Sequence, residues 1–168
     1  PSLALAPRPC RVRPMSANSS TTETAPYELL GAKNLQVDLG GATILRNVSL
    51  SIGPGELVAI VGPNGAGKTT LMRALSGVVP ATNGEVILCT EPIQHLSRET
   101  VARSIAVVSS DITLPFATRV EDLVALGRIP HGRGPAGPSA HDRERATAAI
   151  ERVGATHLQH RDVRTLSA

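Results

Sequence analysis

Residues 59–70 read AIVGPNGAGKTT, and within them residues 62–69 match the pattern G-x-x-x-x-G-K-[ST] at every fixed position. The matching residues are Gly62, Pro63, Asn64, Gly65, Ala66, Gly67, Lys68 and Thr69. The glycines permit a tight curl in which successive N–H groups point inward, and a helix that follows adds the positive end of its dipole. The pattern therefore predicts a phosphate-binding loop between a strand and a helix.

Three side chains at the end of this loop carry the expected chemistry. Lys68 supplies a mobile positive charge that can reach the β- and γ-phosphates of a nucleotide, and we expect it to be the phosphate-stabilising catalytic residue. The hydroxyl of Thr69 can complete the coordination of Mg²⁺. Thr70 is close enough in sequence to hydrogen-bond a phosphate. The loop thus predicts nucleotide binding with Mg²⁺.

The residues before the loop show a strand pattern. Residues 34–39 (NLQVDL) and 47–52 (NVSLSI) alternate apolar and polar side chains, and Gly40-Gly41 lies between them as a tight turn. They predict an antiparallel hairpin. Residues 57–61 (LVAIV) form a continuous apolar run, which is typical of a strand buried on both faces.

The residues after the loop alternate between helix and strand patterns. Further strands are expected at 84–89 and 104–109, and helices at 69–78, 97–103, 118–126 and 139–153. Thr118 and Glu121 form a T-x-x-E capping box for one helix, and Ser139 is the expected N-cap of another. The order predicts an α/β fold with a parallel sheet that carries the loop, an antiparallel N-terminal β subdomain and a helical subdomain.

Composition limits the alternatives. Residues 1–26 are rich in Pro, Ser, Thr and Arg and predict a disordered tail, within which Met15 is a plausible natural start; residues 27–168 form the domain. The net charge of +3 comes from scattered arginines, so no nucleic-acid partner is expected. No apolar run approaches the roughly 20 residues of a membrane span.

From Tyr27 onward the chain resembles the ATPase subunits of ATP-binding cassette (ABC) transporters. The hairpin NLQVDLGGATILRNVSLSIGPGE leading into LVAIVGPNGAGKTTLMRALSG is the usual opening of that family. VEDLVALGRIPHG looks like the segment of importers for iron-siderophore, heme or vitamin B12 (cobalamin) complexes, although the roles of Arg128 and His131 within it are not readable from sequence. RTLSA looks like the start of the signature LSGGQ. The resemblance implies a P-loop NTPase core that binds ATP and Mg²⁺.

The resemblance also implies partners. Two cassettes would hold two ATP molecules head to tail, each between one subunit's loop and the signature of the other, so that Leu166 and Ser167 act in trans. A second ATPase subunit, in a homodimer, and membrane permease subunits are therefore expected. The protein would lie peripherally on the cytoplasmic face of the cell membrane and drive transport by ATP hydrolysis.

Two positions depart from the family pattern. Ser110 stands where the family has a glutamine that approaches Mg²⁺ and communicates with the permease. Leu39 stands where many members have an aromatic residue that stacks on adenine. Since base stacking is worth about 1–3 kcal/mol, we expect weaker base affinity and reduced selectivity for adenine.

The family's Walker B strand ending in Asp-Glu and its switch histidine would follow Ala168, so the resemblance covers roughly three fifths of a cassette. We expect a fragment, truncated before Walker B, that is unable to hydrolyse ATP by itself. Two alternatives stay open: a non-transport ABC-type ATPase, acting in DNA repair or cluster assembly, and a non-catalytic nucleotide-binding remnant. His157 and His160 have i, i+3 spacing without a third ligand nearby and are expected to face solvent.

Overall fold

The structure is a computed structural model that describes residues 29–109, 114–132 and 137–166. It forms two compact units, one ending at Ile105 and the other beginning at Ala106. The strands are β1 (Leu30–Leu39), β2 (Ala42–Ile52), β3 (Asn83–Leu88) and β4 (Glu91–Pro92), and the α-helices are α1 (Lys68–Leu75), α2 (Arg98–Ser104), α3 (Val120–Leu126) and α4 (Ala140–Arg152). The tail 1–26, Ser110 and Ser167 lie outside the described residues.

The first unit is built on an antiparallel sheet with the strand order β2-β1-β3-β4. Leu39 pairs with Ala42 across the predicted hairpin turn, where Gly40 and Gly41 have φ of 57° and 81°. Positive φ at both central residues suits the two-residue turn that matches the twist of the strands. β3 then pairs with the other edge of β1. The predicted hairpin and the strand predicted at 84–89 are confirmed.

One aliphatic core joins this sheet to α1. Its buried members are Ala32, Leu35, Val37, Leu45, Leu71, Ala74, Leu75 and Val86. α1 ends earlier than predicted, because Gly77 adopts φ of 73° and turns the chain before Pro80 is reached. Val78, the last residue of the predicted helix, is consequently exposed.

Two of the predicted strands, at 57–61 and 104–109, are not seen in the structure. Residues 57–61 and 105–109 carry no strand, and every strand pair in the described part of the chain is antiparallel. Leu57 is 99% exposed and Val108 is 92% exposed. A strand needs neighbours that accept its N–H groups and donate to its carbonyls, and an apolar pattern does not supply them. The α/β class with an antiparallel subdomain and a helical part is confirmed, whereas the predicted parallel sheet is not seen within the described residues.

The second unit contains α3 and α4. α4 begins as predicted at a Ser139 cap: the Ser139 hydroxyl accepts from Asp142 N at 3.2 Å, and Ser139 N donates to Asp142 Oδ2 at 3.1 Å. Ala146 and Ile150 are buried, but Val153 lies beyond the end of the helix and is exposed. Among the described residues, no helix is long and apolar enough to cross a membrane.

The capping box predicted for α3 is wrong. α3 begins at Val120 after an Arg119 N-cap, and no side chain of the described residues caps it. The Thr118 hydroxyl instead donates to the carbonyl of Phe116 at 3.3 Å. The N-cap lies one residue later than the pattern implied, so Glu121 is the second residue of the helix and not the third, and its carboxylate contacts another segment.

Candidate nucleotide site

The predicted phosphate loop leads directly into α1. Lys68 is the first residue of the helix, and Gly67, the N-cap, has φ of 87°. In this fully described part of the chain, no side chain caps the helix and its first turn contains no acid. The N–H groups that open a helix are unsatisfied by the helix itself and lie at the positive end of its dipole. A helix start of this kind is suited to an anion, and phosphate binding here stays a prediction.

Lys68 bends back over the loop. Its Nζ donates to the carbonyl of Gly62 at 2.8 Å and to that of Pro63 at 2.7 Å. An ammonium has three donors, so one remains for a ligand while two hold the side chain over the loop. The ammonium is thus held against the loop that precedes α1.

Gly67 is fixed by the hairpin beneath it. A Cβ at this position would lie 2.8 Å from Leu45 Cδ2 and 3.3 Å from the carbonyl oxygen of Ile44. β2 pairs Leu45 with Val37 and Thr43 with Asp38, which leaves Ile44 as the extra residue of a bulge. The Leu45 methyl and the bulged backbone at Ile44 therefore occupy the space that a larger residue at the end of the loop would need.

Sequence patterns did not predict the contribution of Ile44 and Leu45 to the end of the loop. Leu45 is buried in the core, while Ile44 remains partly exposed beside the loop. Their positions depend on a change of register that no alternation pattern reveals. The available signal was a pair of aliphatic residues placed just after the Gly40-Gly41 turn.

The other loop residues face outward. Asn64, Gly65, Ala66 and Thr69 are exposed, and Thr70 is half-buried. No cluster of three or more His, Cys, Asp or Glu side chains suited to a metal occurs in the described residues. Mg²⁺ commonly uses few protein ligands together with phosphate oxygens and water, and the role of the Thr69 hydroxyl as one of these ligands stays a prediction.

Leu39 ends β1 and is 43% exposed. Beside it, hydrogen bonds to the Asp38 carboxylate from the Thr43 side chain, and then from Gln36, lower the pKa of Asp38. Leu39 therefore presents an apolar side chain next to a charged one. Its predicted contact with the adenine stays a prediction.

The signature residues belong to the second unit. Leu166 is half-buried and follows a 3₁₀ turn, Val163–Thr165, with its N–H donating to the carbonyl of Val163 at 3.1 Å. Ser167, like Ser110, lies outside the described residues. The structure brings together Gly62, Pro63, Gly67 and Lys68, and it describes Leu166 separately in its own unit.

Residues 45–168 match the family described as ABC transporter. The chain is 39% identical over 139 residues to the hemin import ATP-binding protein HmuV of Pseudomonas fluorescens, covering 83% of this chain and 53% of that protein. It is 38% identical over 138 residues to the ferric enterobactin transport ATP-binding protein FepC of Escherichia coli, covering 82% and 51%.

A third relative is the cobalamin import ATP-binding protein BtuD of Halobacterium salinarum, 38% identical over 142 residues, with 82% of this chain and 34% of that protein covered. Among solved structures, a nucleotide-free ATP-binding cassette from an ABC transporter superposes with a TM-score of 0.71 at 25% identity, over 83% of this chain and 59% of that one. The chain spans about half the length of the first two relatives.

Proposed function

This chain belongs to the ABC transporter family, and we propose that it is part of the ATP-binding, energy-coupling subunit of an importer for iron-siderophore, heme or cobalamin complexes. This class of cargo is supported by the names of three relatives, which are ATP-binding proteins for hemin import, ferric enterobactin transport and cobalamin import. The observation that carries the proposal is the Lys68 ammonium held over a loop that leads into an uncapped helix start.

In this proposal Lys68 exchanges the carbonyls of Gly62 and Pro63 for phosphate oxygens. The N–H groups at the start of α1 bind the same anion, and the strength of both interactions comes from charge-assisted hydrogen bonds. Thr69 supplies a hydroxyl ligand to Mg²⁺, which neutralises phosphate charge when bound. Thr70 is a further hydroxyl donor for a phosphate.

Leu39 is proposed to contact the base through apolar surface alone. An aliphatic side chain cannot stack as an aromatic ring does, so it distinguishes one purine from another weakly. The phosphates therefore contribute most of the affinity for the nucleotide.

The proposed partners are a second copy of the subunit and a membrane permease. Leu166 and Ser167 would contact the γ-phosphate bound by the other copy, and the subunit would lie on the cytoplasmic face of the cell membrane. Ser110, at the position of the family's glutamine, would lie in the path to the permease. Hydrolysis is proposed for the whole protein and not for these 168 residues alone, because the chain spans about half the length of the first two relatives.

The test is Mg-ATP binding by the purified chain, measured by calorimetry for the wild type, Lys68→Ala and Lys33→Ala. Lys33 is the only other lysine and is exposed on β1, so it controls for loss of a positive charge. We expect Lys68→Ala to weaken binding about 10- to 100-fold and Lys33→Ala to leave it unchanged.

Equal affinities for the wild type and Lys68→Ala would contradict the proposed site.

Repeating the titration with Mg-GTP tests the base contact, for which similar ATP and GTP affinities are expected. Phosphate release is measured on the same samples. Turnover that depends on Lys68 would show that a residue of this chain activates water, contrary to the proposal.

A further inference from the structure

The segment 159–163, which precedes the signature residues, is bonded to the start of α3. The backbone bonds are Val120 N to Arg161 O at 3.1 Å, Glu121 N to Gln159 O at 3.1 Å, and Val163 N to Thr118 O at 2.9 Å. Arg119 and Asp162 also form an antiparallel bridge. The first N–H groups of α3, which usually need a side-chain cap, are thus satisfied by carbonyls of a segment 38 to 41 residues later.

The side chain of Glu121 adds a second set of contacts to the same segment. Its Oε2 accepts from Gln159 Nε2 at 3.1 Å, and its Oε1 lies 3.1 Å from His160 Nδ1 and 3.5 Å from an Arg119 guanidinium nitrogen. Both carboxylate oxygens therefore have partners. Since the Glu121 side chain is 28% exposed, the hydrogen bonds are partly shielded from water.

These contacts join two segments that the sequence had singled out for different reasons. α3 comes from the importer-like segment VEDLVALG, and the residues after segment 159–163 lead through one 3₁₀ turn to Leu166. We propose that Glu121 is a positioning residue that fastens segment 159–163 to the start of α3 and so sets where the signature lies relative to that helix. The role of the signature in this statement rests on the proposed function; the fastening does not.

The acid–base properties of the cluster agree with this assignment. Hydrogen bonds from Gln159 and then from His160 lower the pKa of Glu121 from its ordinary value of 4.5. The Arg119 guanidinium and the titratable imidazole of His160 face the carboxylate. A lowered pKa means that the fastening is complete above the ordinary value and is lost as the pH falls through the folded value.

Amide hydrogen exchange of the 168-residue chain, read residue by residue by NMR, tests the proposal without any nucleotide. The variants are Glu121→Gln and, as a matched control, Asp122→Asn, which neutralises the next carboxylate on the same helix; Asp122 is exposed. We expect Glu121→Gln to speed exchange about three- to tenfold at the amides of Val120, Glu121 (now Gln) and Val163, whereas the control leaves it unchanged.

A pH series distinguishes positioning by the carboxylate from general stability. In the wild type, protection at these amides should fall as the pH drops below 4.5, and in Glu121→Gln this dependence should disappear. Unchanged protection in Glu121→Gln would overturn the proposal. An equal loss of protection within α4 would also overturn it, because Glu121 would then stabilise the unit as a whole. These exchange rates do not depend on whether the chain binds ATP. The proposal for Glu121 and the proposed nucleotide site can therefore fail separately.

Discussion

α1 and α4 begin in opposite ways. α4 is closed by its own residues, since Ser139 and Asp142 exchange hydrogen bonds across the first turn. α1 begins at a glycine and has neither a side-chain cap nor an acid in its first turn. The first N–H groups of α4 therefore have a side-chain acceptor, whereas those of α1 have none among the residues that the structure describes. The difference shows where an anion is expected to bind.

The two starts also differ in what fixes them. Arg128 Nε donates to Asp142 Oδ1 at 3.1 Å, so the cap of α4 is completed by a residue of the importer-like segment. The start of α1 is held by steric contact, because the backbone at Ile44 and the side chain of Leu45 lie against Gly67. One end depends on charge and hydrogen bonds, and the other depends on the absence of a side chain.

The largest expected effect comes from Gly67→Ala. The new Cβ would occupy a left-handed conformation and approach Leu45, which is buried and has little room to move. The combined cost is about 2–4 kcal/mol of unfolding free energy, together with loss of Mg-ATP binding, measured by thermal unfolding and calorimetry.

Gly65→Ala is the matched control for that substitution. Gly65 also has a positive φ, of 81°, but a Cβ there meets no atom within 4 Å. Its cost should be the conformational part alone, about 1–2 kcal/mol. Equal losses for Gly65→Ala and Gly67→Ala would show that the hairpin does not position the loop.

Ser139→Ala opens the start of α4 and should have a smaller effect. Loss of the cap is expected to cost about 1 kcal/mol of stability, read as a lower thermal midpoint of unfolding. Because α4 belongs to the second unit, Mg-ATP affinity should be unchanged. A fall in affinity comparable to that of Gly67→Ala would remove the distinction between the two helix starts.

The smallest effect is the pH dependence of the α4 cap. Hydrogen bonds from the Ser139 side chain and backbone, and then from Arg128, lower the pKa of Asp142 to about 2. Its contribution to stability is therefore complete above the ordinary value of 3.8 and is lost as the pH falls toward about 2.

Thermal midpoints measured between pH 5 and about 2 should fall less steeply for Asp142→Asn than for the wild type. Some slope should remain, because Arg164 lowers the pKa of Asp162 to about 2 as well. Identical slopes in the two proteins would mean that the charge of Asp142 does not stabilise the start of α4.

Sequence patterns succeeded where the partners of a residue are its neighbours in the chain. The Ser139 cap needs only a residue three positions later, and the Gly40-Gly41 turn needs only the two residues themselves. The same logic failed for Thr118 and Glu121, because a competing acceptor from segment 159–163 occupies the start of α3. The prediction of a strand at 57–61 also failed, because those residues have no neighbouring strand in the described part of the chain with which to pair.

By itself the sequence determined the phosphate loop, the lysine at its end, the helix that follows and the family. The loop, its lysine and the helix depend on the types and spacing of residues within a short stretch of the chain. The family match extends over residues 45–168. Only the tertiary structure decided that a bulge at Ile44 sets the end of the loop and that Glu121 binds a segment 38 residues away. Both depend on contacts between distant parts of the chain, and periodicity carries no information about which distant groups meet.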